Sequence, residues 1–330
     1  MRLALLVAWG LVAAPICGAA TLSQDFSSDP AADGWKIFGD ADLFQWDSIN
    51  QNLQVTWDSS QTNSYFYHPL PAVLAKDDDF GIAFDLQLAD IACGVDTNKP
   101  STFEFAISFL NFADATRTNF FRGSGINAVL GSHSTVEFAY FPESNDGSIA
   151  ATVSPIMIST NNGFSFKDTF PLELTVSDLF HVDMSYTSSN TTLSTIMTRN
   201  GQPFGPVKDN KLGASFSDFR LDIVAVSSYS DGGQTPPQYS GSLLAHGTID
   251  NFVVTLPPPP INNITGFFSN AVWQVQFTSR SNWLYTLESA ADLQSWNAAS
   301  PATPGLNGTL TLTDTNTSTK LFYRVRANRP

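Results

Sequence analysis

Of the 30 acidic residues in this 330-residue chain, 25 are aspartates and five are glutamates: Glu104, Glu137, Glu143, Glu173 and Glu288. Two carboxylates about 5–5.5 Å apart can cleave a glycosidic bond, one as nucleophile and one as acid/base. Glu104 and Glu137 each fall on the polar side of an alternating run and are the candidates for such a pair. Their simpler reading is a solvated strand face. Aspartates in turns suit a different chemistry, because hard oxygen ligands hold calcium. Asp77-Asp78-Asp79 and Asn145-Asp146-Gly147 are turns of this kind, and neither fits an EF-hand loop.

Other catalytic signatures are missing. His68, His133, His181 and His246 are far apart and show no metal-ligand spacing, and a zinc site is not expected. His181-Val182-Asp183 puts two polar side chains on one strand face, which reads as surface decoration. No Gly-x-Ser-x-Gly elbow is present. Gly123-Ser124-Gly125-Ile126-Asn127-Ala128 fits the loose dinucleotide fingerprint, which needs a following helix, and the chain has no helical pattern there. Sugar recognition would use aromatic faces beside amides and carboxylates. Trp46, Tyr65, Tyr67 and Tyr229 are the candidates, with the loop from Ser227 to Ser240 as a rim. Trp35 and Trp57 are read as core.

Short strands must carry these residues. In Asp79–Leu88, Phe80, Ile82, Phe84, Leu86 and Leu88 share one face, a period of two. The pattern recurs at Leu53–Trp57, Tyr65–Tyr67, Phe103–Phe109, Val136–Tyr140, Leu172–Val176, Val182–Tyr186, Phe219–Ala225 and Ile249–Val254. Asn200-Gly201 marks a hairpin, and Leu70 to Lys76 could form one helical turn. Many short strands without amphipathic helices predict an all-β fold, a jelly-roll-like antiparallel sandwich.

Residues 1–20 read as a Sec signal peptide: Arg2, then the apolar run Leu3 to Val12, then small residues to Ala20. That run is too short to span a bilayer, and no later stretch qualifies. The mature protein is expected to be exported, soluble or surface-held, and monomeric. Cys93 then stands alone and cannot form an intrachain disulfide, which favours a bacterial exporter. The sequons at Asn190, Asn263, Asn307 and Asn316 would be glycan acceptors only in a eukaryote. Four prolines at 257–260 make 257–261 an extended linker between a main domain, 21–256, and a second small β-sandwich of immunoglobulin or fibronectin type III size, 262–330. Residues 21–260 hold 10 Lys/Arg against 27 Asp/Glu, or −17, and residues 261–330 hold 5 against 3, or +2. So acidic a main domain repels a phosphate backbone, and nucleic acid is excluded as a partner.

The opening Asp25-Phe26 with Gly34-Trp35, the strand at 80–88 and the closing Ile249–Val254 resemble jelly rolls of the concanavalin A-like lectin/glucanase kind and related carbohydrate-binding modules. The resemblance implies that first and last strands lie side by side and that acids from both hold a structural calcium. Carried over, Asp25 and Asp250 are the ligands. Glucanases of that kind carry Glu-x-Asp-x-Glu, and no glutamate here is followed by aspartate two positions on. The segments Tyr285–Glu288, Asp292–Trp296 and Phe322–Arg326 look like a module found at the ends of exported proteins of Verrucomicrobia-type bacteria, which implies surface display. The expectation is an exported, non-catalytic protein that binds a glycan or another cell-surface polymer. The alternatives are a divergent polysaccharide hydrolase or lyase and a purely structural surface protein.

Overall fold

The computed structural model describes residues 20–93, 104–118, 120, 134–143, 150–161, 163–230, 243–270, 272–315 and 321–330. Residues 1–19 of the expected signal peptide, His133, the segment Gly123–Ala128, the turn Asn145–Gly147, Asn316 and most of the loop from Ser227 to Ser240 lie outside the described residues. Two compact units are present, Thr21–Pro257 and a second from Pro258 to Pro330.

The larger unit is an antiparallel sandwich, as expected. Its nine-stranded sheet runs Gln202–Phe204, Thr192–Arg199, Leu179–Thr187, Phe80–Cys93, Leu243–Leu256, Asn52–Asp58 and Phe44–Asp47. Ala20–Gln24 pairs with Leu243–Leu256, so the first and last strands of the unit are neighbours, and Asn210–Lys211 pairs with Thr192–Arg199. The seven-stranded sheet runs Phe164–Phe166, Thr152–Ile158, Thr135–Phe141, Phe105–Leu110, Leu221–Ser228, Ser64–Leu74 and Lys36–Phe38.

Alternation decides which side chains fill the space between the sheets. Phe80, Ile82, Phe84 and Leu86 stand opposite Tyr186, Met184, Val182 and Phe180 on the neighbouring strand, and all are buried. Each such side chain contributes about 1.5–3 kcal/mol. Rings close the gap between the sheets: Phe84 meets Phe138 edge-on at 5.6 Å, and Trp57 stacks on Phe105 at 4.4 Å. Trp35 stacks on Phe66 at 4.7 Å, so Trp35 and Trp57 are core residues. At the Asn200-Gly201 turn both residues have positive φ, 52° and 76°, the handedness a two-residue hairpin requires.

Two local expectations fail. Leu70–Lys76 forms no helical turn, because residues through Leu74 belong to the strand Ser64–Leu74. Leu172–Val176 is not a strand. Its backbone is satisfied irregularly, Leu172 N–H by Ala151 O and Leu174 N–H by the Tyr140 hydroxyl, while Leu172 and Leu174 still face the core.

The smaller unit is a second sandwich. Ile261–Ser269, Val272–Ser279 and Thr309–Asp314 form one sheet; Asn297–Ala298, Leu284–Ala290, Thr303–Pro304 and Phe322–Asn328 form the other. Phe277 against Tyr285, 5.0 Å apart, belongs to its core. Ile261–Ser269 is exposed along most of its length, so no alternation announced it, and the strand begins inside the expected linker. The three segments of the surface-module resemblance converge here. Glu288, buried, accepts from Arg324 at 2.7 Å and Arg326 at 3.3 Å, and the Arg324 guanidinium lies 4.3 Å from the Trp296 ring centre.

Candidate functional site

The two sheets of the larger unit differ in how their outward faces are treated. Strands of the seven-stranded sheet such as Phe105–Leu110 and Thr152–Ile158 are buried on both faces, whereas Leu179–Thr187 in the other sheet alternates exposed and buried. The solvated-face expectation for Glu104 and Glu137 is therefore overturned: both are 0% exposed. Glu137 Oε2 accepts from the Tyr229 hydroxyl at 3.0 Å and from Ser108 Oγ at 3.2 Å. Tyr65 meets Tyr229 edge-on at 6.1 Å and donates its hydroxyl to Ala115 O. Tyr65, Ser227, Ala106, Ala139 and Ser154 form one row across this face, and the next row runs Tyr67, Ala225, Ser108, Glu137. Tyr65 and Tyr229 are thus buried beside a carboxylate and present no ring to solvent.

Glu104 and Glu137 are not cross-strand partners. Ser108 stands opposite Glu137, and Glu104 is four residues further along the Ser108 strand. That is roughly 13 Å of backbone along the strand direction.

The outward face of the nine-stranded sheet is open. A groove of about 540 Å³ lies on it, lined by Asp42, Gln45, Gln54, Thr56, Gln87, Ser177, His246 and Thr248 among others. Register builds its floor: Gln45 pairs with Gln54, Gln54 with Thr248 and Thr248 with Gln87, one polar row over four strands. Beside it run Thr56, His246 and Asp90, with His246 Nδ1 2.8 Å from Asp90 Oδ1. Two amides are held in place. Gln54 donates to Asp47 Oδ2 and Gln87 to Ser177 O, each at 2.8 Å. Hydrogen bonds from Asn50 backbone and side chain, then from Ile49 N–H, hold the Asp47 carboxyl below its usual range. Opposite His246/Gly247 the register shifts by one residue, with Ala89 of Phe80–Cys93 as the extra residue beside the groove. A Cβ at Gly247 would lie 2.5 Å from Gln87 O, so the close approach requires glycine.

Further along the same sheet Asp250 pairs with Asp85 and Asp85 with His181. His181 Nδ1 is 2.7 Å from Asp85 Oδ1, and Asn251 donates to Asp85 Oδ2 at 2.8 Å. Burial pushes the Asp250 carboxyl up, and the charges of Asp85 and Asp25 add to the rise. Asp25 is exposed and accepts from Ser27 Oγ at 2.7 Å. Among the described residues no group of three or more His, Cys, Asp or Glu is arranged to hold a metal ion.

The other sequence candidates separate. Trp46, half-exposed on the edge strand of the nine-stranded sheet, donates Nε1 to Phe26 O at 2.9 Å. Tyr67 stacks on Phe112 at 4.8 Å, on the other sheet. Trp46, Tyr65, Tyr67 and Tyr229 therefore do not form one platform. His68 is held by the carbonyls of Pro69 and Asp33. Each groove glutamine is an ordinary exposed strand residue, and the one sequence signal they share is that all fall on outward positions.

No family model and no curated protein matches the chain. Among solved structures it is similar to a Lotus tetragonolobus seed lectin, at 12% identity over 73% of this chain and 100% of that chain, with a TM-score of 0.44. It is similar to lectin II from Ulex europaeus at 12% identity, over 73% and 99% of the two chains, TM-score 0.47. A legume lectin-like domain from Entamoeba histolytica gives 10% identity, 70% and 95%, and 0.40. Similarity at this level assigns no residue of the groove, whose chemistry stands on its own side chains. No helix among the described residues is long and apolar enough to cross a membrane.

Proposed function

We propose that this chain is a non-catalytic glycan-binding protein, exported and held at or near a cell surface, and that the groove of the nine-stranded sheet is its binding site. The observation that carries this is the row Gln45–Gln54–Thr248–Gln87 along a groove of about 540 Å³. Side-chain amides and hydroxyls offer the neutral, directional hydrogen bonds by which sugar hydroxyls are recognised. That no glutamate is followed by aspartate two positions on speaks for binding without hydrolysis. A screen of the purified full chain against a broad polysaccharide panel tests the reading. Retention by at least one polymer, lost in a Gln54→Ala/Gln87→Ala double variant, is expected. Retention by none sinks it, and release of reducing ends or of unsaturated products would replace it with the enzyme reading.

A structural calcium at Asp25 and Asp250 belongs to the same proposal. Carboxylate oxygens suit the ion, and a divalent cation would offset the charges of Asp85 and Asp25, which add to the rise that burial causes at Asp250. Further ligands would have to be backbone oxygens or water. At a free concentration about 100 times its Kd, calcium would add about 2.7 kcal/mol. A calcium-dependent rise in Tm, absent in Asp250→Ala, is expected; equal Tm in calcium and in EGTA would remove the ion.

A further inference from the structure

We infer that the ligand of the groove is an uncharged, extended, β-linked glycan chain lying across the strands, an inference that rests on the glycan-binding reading above. Gln45, Gln54, Thr248 and Gln87 stand in a straight row perpendicular to the strands. Neighbouring strands are about 4.8 Å apart, close to the length of one sugar residue in an extended β-1,4-linked chain. One polar side chain therefore meets each successive sugar. An α-linked chain, which coils, leaves such a row after one or two residues.

The charges around the row set the charge of the ligand. Gln54 and Gln87 each spend one amide N–H on the protein, on Asp47 and on Ser177 O, which leaves one N–H and the carbonyl oxygen of each for a ligand. Asp42 adds a carboxylate at one end. Among the described residues lining the groove there is no lysine or arginine, and its histidine, His246, is bonded to Asp90. A sugar hydroxyl donates to such a surface. A uronate or sulfate would meet the Asp42 carboxylate with no lysine or arginine in the lining to pair it, inside a region of net charge −17. The same lining has no Phe, Tyr or Trp among the described residues, so the chain is held by its hydroxyl edge and not by stacking on a broad ring face.

The test is calorimetric titration of the full chain with cello-, xylo- and β-manno-oligosaccharides from two to six sugars, beside malto-oligosaccharides and oligogalacturonates. At least one neutral β-linked series should bind, tightening up to the tetrasaccharide, the length of the row, and levelling beyond it. Gln54→Ala and Gln87→Ala should each weaken binding about tenfold, the worth of one hydrogen bond, with Tm unchanged. Malto-oligosaccharide or oligogalacturonate binding that these variants abolish would keep the glycan-binding site and overturn the inference about its ligand. Absence of binding in every series, together with no retention on the polysaccharide panel, would overturn both. Binding indifferent to both variants would place the site outside the groove and likewise overturn it.

Discussion

Glu137 occupies a position that alternation alone would send into water, yet it is enclosed with two hydroxyl donors on one of its oxygens. Removing that shared acceptor leaves buried Tyr229 and Ser108 without their common partner, and lost buried hydrogen bonds cost about 1–3 kcal/mol. Glu137→Ala should therefore lower the unfolding free energy by about that amount in urea titration, while glycan binding at the groove on the other sheet stays the same. A catalytic Glu137 would instead show lost turnover at intact stability in Glu137→Gln. Asp250 makes the opposite case. Its native carboxyl is pushed above its ordinary value of 3.8 by burial and by Asp85 and Asp25. The folded state thus keeps the proton where the unfolded chain has released it, and stability falls as pH rises from about 3.8 through the native value. In EGTA, Asp250→Asn should raise Tm at neutral pH, and the gain should vanish below pH 3.8. The Asn side chain keeps an acceptor for the Asn251 N–H. A variant less stable than its parent at neutral pH without calcium would refute this account of the carboxyl.

Strands and turns were the legible part of the sequence, because period-two alternation and turn chemistry are local. Phe80–Leu88, the Asn200-Gly201 hairpin and the pairing of first and last strands all stand as expected. The site was not legible, because it depends on register. Gln45, Gln54 and Gln87 lie on three separate strands, and no local feature of any of them tells that their strands align through Thr248. Conversely, aromatic residues chosen for type fell on different sheets, and Tyr65 and Tyr229 were buried by neighbours far away in sequence. The bulge opposite Gly247, at Ala89, ties register to the groove. Gly247→Ala would push a methyl against the Gln87 carbonyl, 2.5 Å away, and backbone cannot give way as a side-chain end can. Overpacking of this kind costs about 1–3 kcal/mol. The expected result is a lower Tm together with weaker glycan binding. A variant that binds normally at lower Tm would separate the bulge from the site.

At the scale of the molecule, charge and core are divided between two units. The larger holds a core of rings between its sheets and nearly all the acidic residues; the smaller has its own core around Phe277 and Tyr285 and a slight positive excess. A strongly acidic surface repels polyanions at low salt and is screened at high salt, with a Debye length of about 10 Å at 0.1 M and 3 Å at 1 M. Binding of an uncharged chain through amides and hydroxyls has no such long-range component. Affinity measured on the full chain should therefore stay level between about 0.1 M and 1 M sodium chloride. Affinity that grows with salt would identify an anionic ligand tolerated once repulsion is screened. Affinity that collapses with salt would point to a cationic polymer drawn to the acidic unit, where hydrogen bonds along Gln45–Gln54–Thr248–Gln87 would no longer be what selects the ligand.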